Sequence, residues 1–411
     1  MHVCYHQDEH IFGGEGAVPF FKPRTKEKAQ HTLRKRMMAM VVAGMTLTTG
    51  LSALQGDPVE AEEALPLPAR DGRVVLYVMD QPDLGLTDDM APHIDQINYA
   101  FALLEGGEAD GSHWQGIRQL EGYLARHGHI DGVLSVGGWG AEGFSDACAT
   151  AEGRERLADS ILRLMDRYGF TGVDIDWEYP GSSAAGIKSR EEDVDNWYAL
   201  LALLRQGLDQ RQTERRRDYL LSVALGAGAE QLAMVDGERL GGLVDQAVVM
   251  AYDLQGFDRI TGHHAGLYPA GDTPNSGAWA VNALTDSGLF AGKILLGVPA
   301  YGRVWRQVSG DGLHQRAATA GNRTLRYNEL QALESQGYTR HDDEEAQATW
   351  WVGCGNFVSG EDEASLGAKA RWLKENGLLG AAIWAQHQDP EGALLAALSG
   401  ALAPSPVAEG D

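Results

Sequence analysis

The chain is short of cysteine and of basic charge, and each shortage removes a class of protein. Its 411 residues include only three cysteines, Cys4, Cys148 and Cys354. That is too few for a disulfide framework, and no Cys or His pair has zinc-site spacing. A Cys148–Cys354 disulfide is conceivable in an oxidising compartment, but ordinary free thiols are the expectation. Lys and Arg number 34 against 58 Asp and Glu, a formal charge of −24. This deficit argues against nucleic acid and anionic membrane surfaces, which are bound through clustered Lys and Arg. No Gly-x-Gly-x-x-Gly follows the first candidate strand, which weakens a doubly wound dinucleotide-binding sheet. No internal repeat or appended binding module is visible. No cofactor and no metal are expected.

What is present begins with a basic, then apolar, N-terminal region. Lys22, Arg24, Lys26, Lys28 and Arg34-Lys35-Arg36 precede the mostly apolar stretch Met37 to Leu54. That order reads as a secretory signal. Gly44, Gly50, Ser52 and intervening threonines dilute the stretch, so stable membrane insertion is not expected. Residues 1–61 are therefore assigned to an N-terminal extension with a signal peptide and residues 62–71 to a linker. A secreted protein is expected, with a membrane tether as the alternative. The tail, 401–411, reads as disordered.

From residue 72 to 400, short apolar runs alternate with helix-period segments. Candidate strands are Arg73–Met79, Gln96–Ala102, Gly132–Gly137, Gly172–Glu178, Leu220–Leu225, Gln246–Tyr252, Lys293–Val298 and Gly380–Trp384. Several are nearly continuous apolar runs, as parallel strands buried on both faces require. Between them, Trp197, Leu200, Leu201, Leu204 and Leu208 mark one face of a helix, as do Leu157, Ile161, Leu164 and Met165. This alternation points to an α/β fold, a (β/α)8 TIM barrel. Residues 304–356, between the seventh and eighth strands, exceed a loop and one helix and read as a small α+β insertion.

The most informative segment is Gly172-Val173-Asp174-Ile175-Asp176-Trp177-Glu178. Strand side chains alternate, so the three acids share one face and Val173, Ile175 and Trp177 share the other. In a barrel the acids point inward, where like charges cannot all ionise and at least one proton is shared. Glu178 falls at the strand's C-terminal end, where barrel enzymes place their active sites. The rival readings are a solvated acidic edge strand and a divalent metal site. The apolar alternate face opposes the first. For the second, only Asp253 stands at a neighbouring strand end to help.

This run resembles the D-G-x-D-x-D-x-E signature of family 18 glycoside hydrolases, the chitinases and their relatives, with Thr171 where the first Asp stands. Other motifs follow in order. Asn98-Tyr99-Ala100-Phe101-Ala102 resembles the family's second strand and Leu134-Ser135-Val136-Gly137-Gly138-Trp139 its third-strand S-x-G-G. Met250-Ala251-Tyr252-Asp253 is similar to the sixth-strand M-x-Y-D. Gly297-Val298-Pro299-Ala300-Tyr301-Gly302-Arg303 resembles the seventh strand, and Trp384 the aromatic closing the eighth. In the insertion, Gly360-Glu361-Asp362 stands where relatives often show Tyr-Asp-Asp.

The resemblance implies a retaining hydrolase acting on chitin or N-acetylglucosamine oligosaccharides, in which the substrate supplies the nucleophile. It implies Glu178 as the acid, Asp176 and Asp174 as its partners, and Tyr252 as the group orienting the substrate's acetamide. It further implies a sugar pocket of Tyr77, Phe101, Gly138, Trp139, Gly140, Tyr179, Met250, Asp253, Tyr301, Arg303 and Trp384. An endo-β-N-acetylglucosaminidase or peptidoglycan-directed hydrolase is the alternative, and a non-catalytic lectin a further one. A monomer is expected. Among the thirteen histidines no ligand spacing is seen, and His263-His264 reads as a solvated loop.

Overall fold

The computed structural model of the protein describes residues 70–404 other than 272, 273, 309 and 311. The expected signal segment, nearly all of the expected linker and the tail beyond residue 404 lie outside the described residues. Eight parallel strands form a closed barrel: Arg73–Met79, Gln96–Glu105, Asp131–Gly137, Gly172–Asp176, Leu220–Gly226, Gln246–Met250, Ile294–Pro299 and Gly380–Trp384. Closure is made by the first strand, which pairs Val75 with Gln96 on the second and Arg73 with Gly380 on the eighth.

Their outward side chains explain the apolar runs. Val173, Ile175, Ile97 and Tyr99 are each fully buried against the surrounding helices, and every such aliphatic side chain stabilises the fold by roughly 1.5–3 kcal/mol. Helix Ala151–Tyr168 starts at Thr150, whose side chain accepts from the Gly153 N–H, and stops at left-handed Gly169. It packs beside helix Asp193–Arg215, whose Leu200, Leu201, Leu204 and Leu208 are wholly buried.

Several boundaries differ from expectation: the second strand runs on to Glu105, and the sixth stops at Met250 rather than Tyr252. The fourth strand ends at Asp176, because Trp177 and Glu178 have passed the last paired residue. The insertion is a five-stranded antiparallel sheet spanning 301–360 rather than 304–356. The chain leaves the barrel immediately after Ala300, whose N–H donates to the Trp384 carbonyl, so Tyr301–Arg306 already belongs to the new sheet. Its core is Trp305, Ala317 and Phe357. At the far end, helix Ala393–Ala401 runs past residue 400, and Leu402 is fully buried with its carbonyl accepting from Asp71 N–H. Cys148 is buried whereas Cys354 is exposed, and no disulfide joins them. Among the described residues no helix is long and apolar enough to cross a membrane.

Candidate active site

Asp174 and Asp176 of the fourth strand, with Glu178 just beyond its end, form a column rising through the barrel to its C-terminal mouth. Exposure increases upward, from Asp174 at 0% through Asp176 at 4% to Glu178 at 9%. The strand can carry them because neighbours leave space and supply donors. Gly137 on the third strand has φ +119°, and a Cβ there would lie 2.1 Å from the Asp176 carbonyl oxygen. Only glycine permits that approach. Beside it Gly138 faces Phe101, whose ring a Cβ would meet at 2.6 Å.

At the foot of the column, Asp174 Oδ2 accepts from the Ser135 hydroxyl at 2.7 Å and the Tyr77 hydroxyl at 3.0 Å. Burial raises the Asp174 pKa, and Ser135, Ser222, Tyr77 and Asn98 oppose that rise by favouring the ionised form. Asp176 has no comparable set of donors, and its Oδ1 lies buried without a hydrogen-bond partner. Its pKa stands well above the usual carboxylate range, through burial first and then the charges of Glu178 and Asp174. Burial also pushes Glu178 up to about 7. Burial and mutual repulsion thus favour the protonated forms within the column, and Glu178 at the mouth is placed to exchange a proton near neutral pH.

Aromatic rings floor and rim the mouth. Trp384 closes the eighth strand with its ring stacked on Phe101 at 5.7 Å and edge-on to Tyr77 at 5.6 Å. Tyr77 lies beneath the site, 3% exposed and bonded to Asp174. On the rim Trp139 is 55% exposed and set edge-on to Tyr179 at 6.4 Å, with Gly140 exposed beside it. Across the mouth, partly buried Met250 ends the sixth strand, and Tyr252 stands edge-on to Tyr301 at 6.3 Å.

Beside them is an ion-pair cluster. Asp253, at φ +57°, accepts from the Tyr301 hydroxyl at 2.6 Å and from Arg303 Nε at 2.5 Å. Burial works to raise the Asp253 pKa, but His264 and Arg303 override it and hold this carboxyl well below its ordinary value. The cluster ties the insertion to the barrel, since Tyr301 and Arg303 begin the inserted sheet.

His263 and His264 are not a solvated loop. His264 is fully buried, its Nε2 at 3.1 Å from the Tyr301 carbonyl and its Nδ1 at 3.5 Å from Asp253. His263 is 5% exposed and bonds Asp343 of the insertion. Their partners lie far along the chain, so the local sequence carried no sign of burial. Sequence reasoning also passed over the inward polar residues Gln96, Asn98, Ser222 and Gln246. A signal existed, because Gln96 and Asn98 alternate with buried Ile97 and Tyr99. Among the described residues no cluster of His, Cys, Asp or Glu could hold a metal.

An inward column of acids under an aromatic mouth, at the C-terminal face of a parallel barrel, stands where TIM-barrel enzymes carry their active sites. The comparisons with known proteins narrow this. The model of glycosyl hydrolases family 18 matches residues 73–389, and the chain belongs to that family. It is 34% identical to chitinase A1 of Niallia circulans over 294 residues, which cover 65% of this chain and 42% of that protein. Among solved structures, a family 18 N-acetylglucosaminidase from Paenibacillus barengoltzii superposes with a TM-score of 0.77 at 32% identity. That match covers 80% of this chain and 100% of the other. Chitinase ChiW from Paenibacillus sp. str. FPU-7 gives a TM-score of 0.76 at 33% identity, over 82% of this chain and 43% of that one. The chain thus spans less than half the length of both matched chitinases.

Proposed function

We propose that this hydrolase cleaves β-1,4-linked N-acetylglucosamine polymers with retention of configuration, the substrate's acetamido oxygen acting as nucleophile. The observation that carries the reading is Glu178, which ends the acid column and keeps its proton up to about pH 7. Glu178 donates that proton to the leaving glycosidic oxygen and later takes one from water. As the sugar–oxygen bond breaks, the acetamido oxygen attacks its own anomeric carbon and an oxazolinium ion forms. Asp176 accepts a hydrogen bond from the acetamide N–H and stabilises the developing positive charge. Asp174 tunes Asp176 from below, and the Tyr252 hydroxyl steadies the acetamide carbonyl for in-line attack. Trp384 offers its face to the C–H face of the reacting sugar. Trp139 and Tyr179 contact the chain on one side of the mouth, and Met250 with the Asp253–Tyr301–Arg303 cluster on the other.

The basic and then apolar N-terminal segment supports secretion. The chitinase names among the matched relatives support the substrate class. A second reading, release of single N-acetylglucosamine units, is favoured by the similarity to the Paenibacillus barengoltzii N-acetylglucosaminidase. The test is the product profile on chitotetraose through chitohexaose, wild type beside Glu178→Gln. Disaccharide as main product, initially as the β-anomer, supports the chitinase reading, and monosaccharide supports the second. Untouched chitin oligosaccharides with glycans released from a glycoprotein, or peptidoglycan cleaved, would sink both. Oligosaccharide binding without turnover in the wild type would mark a lectin.

A further inference from the structure

Below the acid column the barrel interior holds side chains that the proposed chemistry does not use. Gln96 and Asn98 on the second strand are fully buried, and Gln246 on the sixth is 4% exposed. They are bonded in series. Gln246 Nε2–H donates to Gln96 Oε1 at 3.0 Å, and Gln96 Nε2–H donates to Asn98 Oδ1 at 2.6 Å. An amide has one acceptor end and one donor end. Accepting at the oxygen therefore leaves the amino group for the next step, and the series has a direction. It terminates in the Asn98 amino group.

Two groups face that terminus, the Asp174 carboxylate and the Tyr77 hydroxyl, which itself donates to Asp174. Asn98 Nδ2, Ser222 Oγ and Asp174 Oδ1 are all buried, and none has a hydrogen-bond partner within ordinary distance among the described residues. Asn98 and Ser222 nonetheless both favour the ionised form of Asp174. The opposite direction is disfavoured, since it would turn the Asn98 carbonyl oxygen toward a carboxylate, acceptor against acceptor. A buried amide in series with two others cannot turn alone without breaking its bond to Gln96, and each such bond left unmade inside a protein costs about 1–3 kcal/mol.

We propose that Gln246, Gln96 and Asn98 are positioning residues: a directional amide relay that aims the Asn98 amino group at the Asp174 carboxylate from beneath. The relay rests on the reading of Asp174 and Asp176 as the acid's partners. It holds Asp174 as the anion of the pair and leaves their shared proton on Asp176. The titratable groups facing Asp174 are Tyr77 from the first strand and Asp176 on its own, while Glu178 and Tyr252 act on Asp176 above it. The non-titrating donors are Ser135 and Ser222. No cation is among these groups, so neutral donors alone offset the burial of Asp174.

The variant Gln96→Glu tests the direction. A carboxylate at position 96 accepts from both Gln246 and Asn98, turning the Asn98 amino group away from Asp174. Gln96→Met removes the relay's middle without adding charge, and carries the test if the first variant does not fold. Removing a donor from the ionised form raises its pKa. The pair then takes its second proton at higher pH, and the acidic limb of kcat moves up by roughly one pH unit. KM for chitotetraose stays within about twofold, because no substrate contact changes. The infrared band of protonated carboxyls, followed against pH in the whole protein, moves in the same direction without depending on turnover. Folded variants in which neither limb nor band moves would overturn the relay. A displaced band in variants of a protein that does not hydrolyse chitin oligosaccharides would support the relay and overturn the substrate reading alone.

Discussion

The two halves of the barrel interior are built from different chemistry. On one side the first, sixth, seventh and eighth strands contribute Val75, Val248, Leu295 and Ala382, an apolar cluster that reaches Trp384. On the other, the second to fifth contribute Gln96, Asn98, Ser135, Asp174, Asp176 and Ser222, joined at the foot by Gln246 of the sixth, all buried. Packing in the first half needs no match of donor to acceptor, only a close fit of apolar shapes. In the second, each donor needs an acceptor at the right place, and unpaired groups cost free energy. Stability is therefore drawn from one half and chemistry from the other, with Tyr77 bridging them through Asp174.

The largest expected effect divides the halves at once. Glu178→Gln keeps the shape of the mouth and removes the transferable proton, so kcat should fall by roughly 10²–10⁴-fold. Its stability should not fall with it. At pH 8 the variant should unfold at equal or higher urea concentration than wild type, because a neutral amide replaces a carboxyl that burial disfavours in its charged form. A Glu178→Gln protein that lost both activity and stability would erase the distinction.

Leu295→Ala probes the apolar half. Leu295 is wholly buried beside Val248 and Ala382, and its truncation should cost about 2–5 kcal/mol in urea unfolding. Turnover per folded molecule should stay within a few-fold of wild type at a temperature where both are native. A large loss of kcat in folded protein would mean that the apolar half also sets the geometry of the acids.

The pH dependence of stability sharpens the same contrast. Glu178 has a folded pKa of about 7, above its unfolded value of 4.5. Such a group contributes stability fully below the unfolded pKa and loses it as pH rises through the folded one. Asp176 and Asp174, also raised, act with the same sign. His93, His264 and His387, whose pKa burial lowers, act with the opposite sign over the same range. The Glu178 contribution is therefore read as the stability of wild type relative to Glu178→Gln, which should be greater at pH 5 than at pH 8. The Glu178 share, of order 3 kcal/mol, should vanish in Glu178→Gln. Turnover should decline through the same window, since deprotonated Glu178 has no proton to give.

How much of this was legible beforehand follows the same division. The first and eighth strands begin and end where their apolar runs do, because a strand buried on both faces writes its length directly in composition. The acid column was legible because alternation alone puts Asp174, Asp176 and Glu178 on one face. The edge of the insertion was not, because Tyr301–Arg306 continues the seventh strand's buried pattern while changing sheets. His264 was misread since its partners, Asp253 and the Tyr301 carbonyl, come from other segments. The amide series was missed for a related reason: Gln96 and Gln246 meet only when the second and sixth strands face each other across a closed barrel.

The smallest effect concerns Thr171, where the family signature begins with Asp. Its hydroxyl donates to the Gly132 carbonyl at 3.2 Å, and its side chain lies on the far side of the strand from the acids. Thr171→Val should cost only about 0.5–1.5 kcal/mol of stability and leave kcat and its pH profile unchanged. Restoring the signature residue should not help. Asp131 lies 3.5 Å from the Thr171 hydroxyl and already pairs with Arg73, so Thr171→Asp sets two carboxylates against one guanidinium. That variant should unfold at lower urea than wild type at pH 8 and recover toward it at pH 4, where the added acid is partly neutral. Higher stability at pH 8 would instead mean that the far side of this strand accepts charge as readily as the near side.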